Sequence, residues 1–497
     1  MSENSLHSAD PAELAHAVAS VSMPDSIDTP LGSFDLVDGV PTAESTARLY
    51  EALDFVRGVD VFLNAVPGAS LVAMRHGFRS IGLTEPNQIG ITEPRANSGS
   101  LFLTPNTETT YGTMFFDLKA TGPLVIEPPK NSLCVVDDFW FRYVTDMGIA
   151  GPDKGEGGKY LFLPPGYDGD EPDGYFVCRT PTFTNWAIFR ALGGVPAMKE
   201  TRVYPLAEAD HPPQMEYPNI ADLRFNTIHA NDVSFFEEID QIVQEEPTTA
   251  LDPERTGQLA GIGIVHGTPF APDVARRATL DRAANAGAAI SRALVYAPRD
   301  PDAYYYEGSR WLQGFNGGSH EFLGGGARLL DARTQFHYLA TVITPAMAHA
   351  QVGTGSAYAY TVHDVNGDVL DGARTYSLRL PPEPPAKNFW SVDIYDTQTR
   401  SLLQTDVPYP SVMSLGDTVA PDDDGGFTIW FGPDAPDRNE ANWIQTVPGK
   451  SWFPILRLYG PLETWFDKTW RPSEITPVSP GIDAAGALPA GSPAQIR

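Results

Sequence analysis

The stretch Thr113-Met114-Phe115-Phe116-Asp117, followed after a Gly-Pro turn by Leu124-Val125-Ile126-Glu127, decides the fold class. Short apolar runs bounded by turn-forming residues are typical of β-strands. Similar runs continue to about Thr182, at 134–136, 139–143, 159–163 and 175–179. Repeated short strands at this spacing predict a sandwich or a barrel.

The elements on either side of this region differ in character. A helix is predicted from Thr42 to Asn64, with Pro67 breaking or ending it. Helical patterns then occupy the middle of the chain, at 235–245, at 271–296 and at 327–350, the last interrupted by Pro345. Strand patterns return at 357–362, 375–380, 389–396, 426–431 and 453–459. The sequence therefore predicts an α+β fold, with two antiparallel β-sandwich-like domains joined by a helical segment.

The chain has 497 residues, more than one hydrophobic core usually supports. We expect five parts: a polar N-terminal arm (1–41), a helix plus β-domain (42–200), a mainly helical connecting segment (201–350), a C-terminal β-domain (351–476) and a disordered tail (477–497).

Charge and composition narrow the classes of function. The formal net charge is -29, so phosphate backbones and anionic membrane surfaces are repelled, and neither nucleic acid nor membrane is an expected partner. No signal-peptide pattern and no run of about 20 apolar residues is evident, which predicts a cytoplasmic protein. The two cysteines, Cys134 and Cys178, are too few for a disulfide scaffold or a thiolate zinc site.

Several longer motifs resemble a known pair of families. The segments 103–111 (Leu-Thr-Pro-Asn-Thr-Glu-Thr-Thr-Tyr) and 155–167 (Gly-Glu-Gly-Gly-Lys-Tyr-Leu through Pro-Pro-Gly-Tyr) are similar to the domain of unknown function 1254. The segments 387–396, 442–444 and 456–461 are similar to its usual companion, the domain of unknown function 1214. The resemblance implies two β-sandwich-like domains joined by helices and implies no shared biochemical activity. Glu108 stands where an Asp is more familiar, and many relatives are exported.

The first group of candidate site residues lies in the loop before the strand at 113–117. Asn106, Glu108 and Tyr111 combine an amide, a carboxylate and a phenol, which together can accept, donate and transfer protons. We expect Glu108 and Tyr111 to be catalytic and Asn106 to orient a substrate. The structural alternative is an Asx turn, in which Asn106 bonds its own backbone and Glu108 is solvated.

A second group follows the strand at 134–136. If 139–143 is a strand, alternation places Trp140 and Arg142 on one face, where they and Asp146 form a floor for an anionic or planar ligand. The structural alternative is an ion pair from Arg142 to Asp138 or Asp146, with Trp140 in the core. Both readings remain open from the sequence.

Other features give weaker signals. The ten histidines show no metal-ligand spacing, so we expect no metal site and no cofactor. Aromatic segments around Tyr305, Trp465 and Trp470 either cover an interface of a homo-oligomer or pack between domains.

Taken together, these residues suggest an enzyme that acts on a small organic molecule by acid/base chemistry in a cleft between the β-domains, as a hydrolase or lyase. The alternative is a non-catalytic protein that binds a small-molecule ligand or a partner. A desolvated Glu108 favours the enzyme, because burial brings a carboxylate towards the range of useful proton transfer.

Overall fold

The computed structural model describes residues 11–416, 418–436 and 440–478. The predicted tail at 477–497 lies outside these residues, apart from Pro477 and Val478, and so do the first ten residues of the predicted arm. Residues 11–41 of that arm form one helix and a three-stranded antiparallel sheet.

Ten α-helices occur in the described residues: α1 (Pro11–Val21), α2 (Ala43–Ser80), α3 (Leu118–Thr121), α4 (Gly194–Met198), α5 (Ser234–Glu245), α6 (Pro253–Gly261), α7 (Val274–Tyr296), α8 (Leu330–Leu339), α9 (Pro345–Ala348) and α10 (Glu463–Phe466).

The strands in the same part of the chain are β1 (Ser26–Thr29), β2 (Gly32–Val37), β3 (Val40–Pro41), β4 (Gly90–Ile91), β5 (Gly112–Asp117), β6 (Leu124–Glu127), β7 (Ser132–Asp138), β8 (Tyr143–Gly148), β9 (Tyr160–Leu163), β10 (Phe176–Arg179), β11 (Thr184–Ala191), β12 (Arg202–Pro205), β13 (Leu312–Gln313), β14 (Leu323–Gly324), β15 (Ala327–Arg328), β16 (Ser356–Tyr360), β17 (Tyr376–Leu380), β18 (Ala386–Asp396), β19 (Ser411–Met413), β20 (Phe427–Gly432), β21 (Trp443–Gln445), β22 (Trp452–Pro461) and β23 (Thr476–Pro477).

These elements confirm the predicted α+β class. The N-terminal sandwich pairs a five-stranded sheet, β4-β5-β11-β7-β8, with a four-stranded sheet, β10-β9-β6-β12. The C-terminal sandwich repeats this composition, with β13-β16-β22-β18-β19 against β21-β20-β17-β23. Neighbouring strands are antiparallel in both, except for the parallel pairs β9/β10 and β20/β21.

Each sandwich has its own core, and a third core lies between the sandwiches. Alternation along the strands sends one set of side chains inwards and the other set outwards. On β22, Leu456 and Leu458 pack inside the C-terminal sandwich, whereas Phe453 and Ile455 join the third core. Helices α2, α5, α7 and α8 contribute a large part of that core, so they connect the two sandwiches through apolar contact.

Helix α2 corrects the prediction that Pro67 breaks or ends the first helix. Thr42 caps its N-terminus as expected, accepting a hydrogen bond from the Ser45 N–H, but the helix continues through the buried Pro67 to Ser80. Proline lacks the N–H that would bond the carbonyl of residue 63. The Thr334 hydroxyl of α8 donates to the Leu63 carbonyl at 2.9 Å instead. Tertiary contact thus satisfies the group that the proline leaves free.

The same helix bears on the expectation that no stretch of the chain is apolar enough to span a membrane. By length and composition α2 is the one helix among the described residues that is long and apolar enough to cross a membrane. In the fold, 61% of its apolar window is buried inside the protein.

A second correction concerns 139–143, which is not a strand. Strand β7 ends at Asp138 and β8 begins at Tyr143, with a tight turn between them. Phe141 takes a positive φ of 57° in that turn. Trp140 and Arg142 therefore do not share a strand face, because there is no pleat between them to impose one.

The aromatic segments proposed for a subunit interface pack within the chain. The Tyr305 ring stacks on Trp465 with 4.3 Å between ring centroids. Tyr306 and Trp470 are 3% and 7% exposed, and the Tyr306 hydroxyl donates to the Trp470 carbonyl. These contacts are the packing within the chain that the alternative describes, and the homo-oligomer stays a prediction.

Candidate functional site

The loop that carries Asn106, Glu108 and Tyr111 lies against the C-terminal sandwich. It spans residues 92–111, between β4 and β5 of the N-terminal sandwich. The Thr104 N–H donates to the Arg400 carbonyl at 2.9 Å, and the Tyr395 hydroxyl donates to the Pro105 carbonyl at 2.6 Å. Arg457 Nη2 adds a bond to the Thr104 carbonyl at 2.9 Å. The loop is therefore fixed by both halves of the molecule.

Asn106 orders the tip of this loop. Its Oδ1 accepts from the N–H groups of Glu108 and Thr109, both at 3.2 Å, which is the Asx turn of the structural alternative. Its Nδ2 donates to the Tyr111 hydroxyl oxygen at 2.6 Å. Asn106 is 6% exposed. Its amide bonds at both ends, so Asn106 orders the loop tip and positions Tyr111.

Glu108 is half-buried and bonded across the domain boundary. Tyr459, on β22, donates its hydroxyl proton to Glu108 Oε2 at 2.8 Å. The Thr107 hydroxyl lies 3.3 Å from Oε1. The solvated Glu108 of the structural alternative is therefore not what the fold shows.

A second carboxyl group stands beside Glu108. Asp393, on β18, is fully buried and accepts from Thr107 Oγ1 at 3.1 Å and from Arg457 Nε at 3.2 Å. Burial and the nearby Glu108 carboxylate raise the pKa of Asp393 well above its usual range. With the Glu108 charge beside it, the buried Asp393 favours its protonated form.

Tyr459 is held in its protonated form by the same surroundings. It is 3% exposed, and burial together with the Glu108 charge raises the pKa of its hydroxyl well above the usual value. The hydroxyl proton points at Glu108, which leaves the oxygen lone pairs of Tyr459 as acceptors.

These groups adjoin a cavity of about 260 Å³ between the outward faces of the two five-stranded sheets. The N-terminal wall includes Trp186, Ile188 and Arg190 from β11, and the C-terminal wall includes Tyr358 and Tyr360 from β16. The remaining walls are mainly apolar, with Phe78, Phe102, Phe225, Phe315, Phe336, Leu339, Ile455, Arg457 and Tyr459 among them. The volume is near the lower end for ligand pockets, so a bound molecule would be small.

The predicted site residues separate into two sets. Asn106, Tyr111 and Asp146 line this cavity, and Glu108 reaches it through Tyr459. Trp140 and Arg142 are not among its lining residues.

Arg142 and Trp140 take the structural roles that the sequence left as the alternative. Arg142 Nε lies 2.7 Å from Oδ2 of the fully buried Asp138, and its Nη1 donates to the Ala250 carbonyl. Trp140 is 5% exposed and packs in the core beside Gly68 of α2. The turn after β7 directs both side chains towards the helices, away from the cavity.

Asp146, on β8, is tied to the cavity wall. Both of its carboxylate oxygens accept from the Thr344 hydroxyl, at 2.8 and 2.7 Å, and the Tyr143 hydroxyl lies 3.3 Å from Oδ2. Burial raises the pKa of Asp146 to about 6. This group can therefore change charge near neutral pH.

The sequence reasoning missed Arg190, Asp393, Arg457 and Tyr459 as site residues. A usable signal for Arg190 lay in 184–191, where Trp186, Ile188 and Arg190 alternate with Ala187 and Phe189. For the other three, the C-terminal motifs contain the residues, but only the folded chain brings them to the loop at 92–111. No cluster of three or more His, Cys, Asp or Glu side chains suited to a metal occurs in residues 11–478 where the structure describes them.

Comparisons with known proteins agree with the motif resemblance. Residues 86–209 match the family DUF1254 and residues 355–463 match DUF1214, each described as a protein of unknown function. The family recognised from the sequence is therefore confirmed. No curated protein matches the chain significantly.

Two crystal structures match the chain over most of its length. The VPA0106 protein from Vibrio parahaemolyticus has 19% sequence identity and a TM-score of 0.51, over 86% of this chain and 100% of that chain. An uncharacterized protein from Burkholderia cenocepacia has 13% identity and a TM-score of 0.40, over 87% of this chain and 97% of that chain. At these identities the first similarity supports the α+β fold and nothing finer.

Proposed function

We propose that this chain, which carries a DUF1254 segment followed by a DUF1214 segment, binds a small organic molecule between its sandwiches and transfers a proton to or from it. Glu108 is the proposed acid or base, and Tyr459 is the group through which it reaches the ligand. The hydrogen bond from Tyr459 to Glu108 across the domain boundary carries this proposal.

The proposed step balances in protons. A bound molecule gives a proton to the Tyr459 oxygen while the hydroxyl proton of Tyr459 moves to Glu108 Oε2. The reverse sequence protonates a leaving group. Tyr459 ends as it began, so it never has to exist as a tyrosinate, which its buried position disfavours. An elimination or a hydrolysis would use such a transfer.

Two neighbours support this role for Glu108. Arg457 lies against Asp393 and compensates the negative charge of the carboxyl pair. The Thr107 hydroxyl lies 3.3 Å from Glu108 Oε1 and 3.1 Å from Asp393 Oδ1, so it can donate its proton to either carboxyl group. A fixed network of this kind costs no reorganisation when the proton moves.

One observation favours a binding protein without catalysis. Glu108 is not itself among the residues that line the cavity, and most of the lining is apolar. A protein that only stores or carries an apolar molecule needs no more than this.

The test begins with a ligand screen by thermal shift, followed by turnover assays on every ligand that stabilises the protein. Glu108→Gln and Tyr459→Phe should each lower turnover by roughly 10²-fold or more, the usual size for losing a positioned acid or base. Because the two groups act as one relay, the double variant should lose no more than either single variant.

Glu200→Gln is the matched control, since Glu200 is exposed on the N-terminal sandwich. Circular dichroism checks that each variant is folded. If ligands stabilise wild type and Glu108→Gln equally and neither turns any of them over, the binding protein is the correct function and the proton relay is wrong.

A further inference from the structure

Arg190 differs from the other cation of the cavity in having no acceptor. Arg457 is engaged by Asp393, by the Thr104 carbonyl and by the Tyr395 hydroxyl. The Arg190 side chain donates no hydrogen bond and forms no ion pair with any residue that the structure describes, and its Nε is buried. Leaving a buried N–H group unpaired is costly. Other described arginines also have an unpaired buried guanidinium nitrogen, but each of them donates a hydrogen bond through another nitrogen, which Arg190 does not.

Among the residues that the structure describes, the Arg190 guanidinium contacts an aromatic face. Its carbon lies 5.4 Å from the centre of the Tyr459 ring. A cation–π contact attracts the charge but accepts none of the guanidinium N–H bonds in their plane. The fork of donors is therefore still free to take a planar acceptor with two oxygens.

The charges around Arg190 also favour an anion. Asp146 is the only carboxylate among the described lining residues, and it is held by Thr344 and shifted towards its neutral form. Arg457 is already compensated by the carboxyl pair of Glu108 and Asp393, so Arg190 is the cation of the described lining that is left for an anion, in a protein whose Asp and Glu residues outnumber Lys and Arg by 63 to 34.

A groove next to the cavity also has more cations than carboxylates in its lining. It shares five lining residues with the cavity, which are Gly314, Phe315, Met347, Ser356 and Tyr358. Its charged lining consists of four cations and three carboxylates, which are Arg299, Arg310, Lys468, Arg471, Asp302, Glu307 and Glu474. The groove has one more cation than carboxylates, whereas carboxylates are in excess in the whole chain, so an anion is repelled less here than over the rest of the surface.

We propose that the ligand of the cavity is a small organic anion with an apolar body, whose carboxylate binds Arg190 and which enters through this groove. The inference rests on the proposed function for the cavity itself and adds the chemical class of its ligand. A carboxylate on Arg190 would lie beside Tyr459, so the proposed proton transfer would take place close to the acid group. The apolar side chains of Ile188 and Trp186, on the same strand face, would then contact the body of the ligand.

The experiment compares charged and neutral forms of the same molecule. Octanoate and 3-phenylpropionate are titrated by calorimetry into the full-length protein, each beside its neutral amide. We expect the carboxylates to bind more tightly than the amides. Arg190→Gln should weaken carboxylate binding by about 10- to 100-fold, as for a lost charge-assisted bond, and leave amide binding within about twofold.

Three further variants make the result specific. Arg190→Lys should retain part of the carboxylate affinity, because the charge remains but the planar fork is lost. Arg202→Gln, an exposed arginine on the other sheet of the same sandwich, should change nothing. Ile188→Trp should remove binding of both forms by filling the cavity, which locates the site.

The outcomes separate this inference from the proposed function. If carboxylate and amide bind wild type alike, or if Arg190→Gln leaves carboxylate binding unchanged, the anion site is wrong while the cavity remains a binding site. If neither form of either molecule binds, the anion site is wrong as well. If Arg190→Gln behaves as expected but Glu108→Gln leaves turnover unchanged, the anion site stands and the proton relay fails.

Discussion

Arg142 belongs to a sequence pattern that predicts ligand binding, but in the structure its side chain stabilises the fold. Its partner Asp138 is fully buried and also accepts from the N–H groups of Trp140 and Arg142. The Arg142 side chain is 41% exposed, so solvent weakens the attraction between the two charges. The pair fixes the turn that connects β7 to β8.

We predict that Arg142→Gln lowers the free energy of unfolding by about 1–2 kcal/mol, because a buried carboxylate loses its charged donor. Ligand binding in the cavity should not change. Urea unfolding measures the first effect and calorimetry the second. Arg179→Gln is the control: its partner Glu171 is exposed, so less than about 0.5 kcal/mol should be lost. If Arg142→Gln keeps the stability of the wild type but loses ligand affinity, Arg142 binds the ligand, as first expected.

At the scale of single residues, several site residues could be identified from the sequence, but the contacts between them could not. Asn106 and Tyr111 lie where the loop motif placed them, and they line the cavity. The partner of Glu108 was beyond reach, because Tyr459 is 351 positions away in the chain. Only long-range packing decides that kind of contact, and local patterns carry no information about it.

Helices α2 and α7 pack at the distance that their glycines allow. A Cβ placed on Gly287 would lie 2.6 Å from the ring of Phe62 and 2.8 Å from the Phe62 Cβ. The Phe62 Cβ is fixed to the backbone of α2, so a change of rotamer cannot move it away. On the other helix, a Cβ placed on Gly58 of α2 would lie 2.7 Å from the Cβ of Ala283 in α7. The two helices therefore meet without a layer of larger side chains between them.

We predict that Gly287→Ala lowers the free energy of unfolding by about 1–3 kcal/mol, since overpacking at a helix contact forces the backbones apart. Gly257→Ala in α6 is the matched control. Its added methyl group would meet nothing within 4 Å, so the better helix propensity of alanine should raise stability by roughly 0.5–1 kcal/mol. Chemical denaturation of the two variants should give shifts of opposite sign. Equal shifts would contradict the close contact of α2 and α7.

Elements were predictable where local pattern and tertiary contact agree. The helices at 234–245 and 274–296 and most strands fall close to their predicted positions. The pattern failed at Pro67, where a hydroxyl from α8 replaces the missing bond, and at 139–143, where a left-handed residue turns the chain. It also missed β11, the strand that carries Arg190. At Pro67 the deciding interaction comes from a distant part of the chain, whereas at 139–143 it lies within the turn, where Asp138 accepts from the N–H groups of Trp140 and Arg142. Strand β11 carried a local alternation that the strand prediction did not use.

At the scale of the whole molecule, buried ionisable groups make stability depend on pH. Burial raises the pKa of Glu246 to about 7 and that of Glu238 to about 8. The folded state keeps protons that the unfolded chain has lost, so this stability is present at low pH and is lost as the pH rises through 7 to 8. Burial lowers the pKa of His229 and His337 to about 3, so their contribution is lost as the pH falls below about 6.5.

We predict that the free energy of unfolding rises, by on the order of 1–3 kcal/mol, as the pH falls from 8.5 to 6.5, where only the carboxyl groups titrate. Below 6.5 the histidines oppose the carboxyl groups, and the rise should end. Urea titrations at intervals of half a pH unit measure the curve. Glu246→Gln should flatten it between pH 8 and 6.5, because Glu246 is 3% exposed and supplies part of the slope. Stability that falls steadily from pH 8.5 to 6.5 would contradict the raised values.

The two faces of β22 suggest how this protein could be re-engineered. One face holds the C-terminal sandwich together through Trp452, Leu456 and Leu458, and the other presents Phe453, Ile455, Arg457 and Tyr459 to the space between the sandwiches. Mutational libraries confined to the second face would explore new ligand chemistry while the scaffold keeps its interior. Along this one strand, alternate positions can therefore change ligand specificity without changing the residues that hold the fold together.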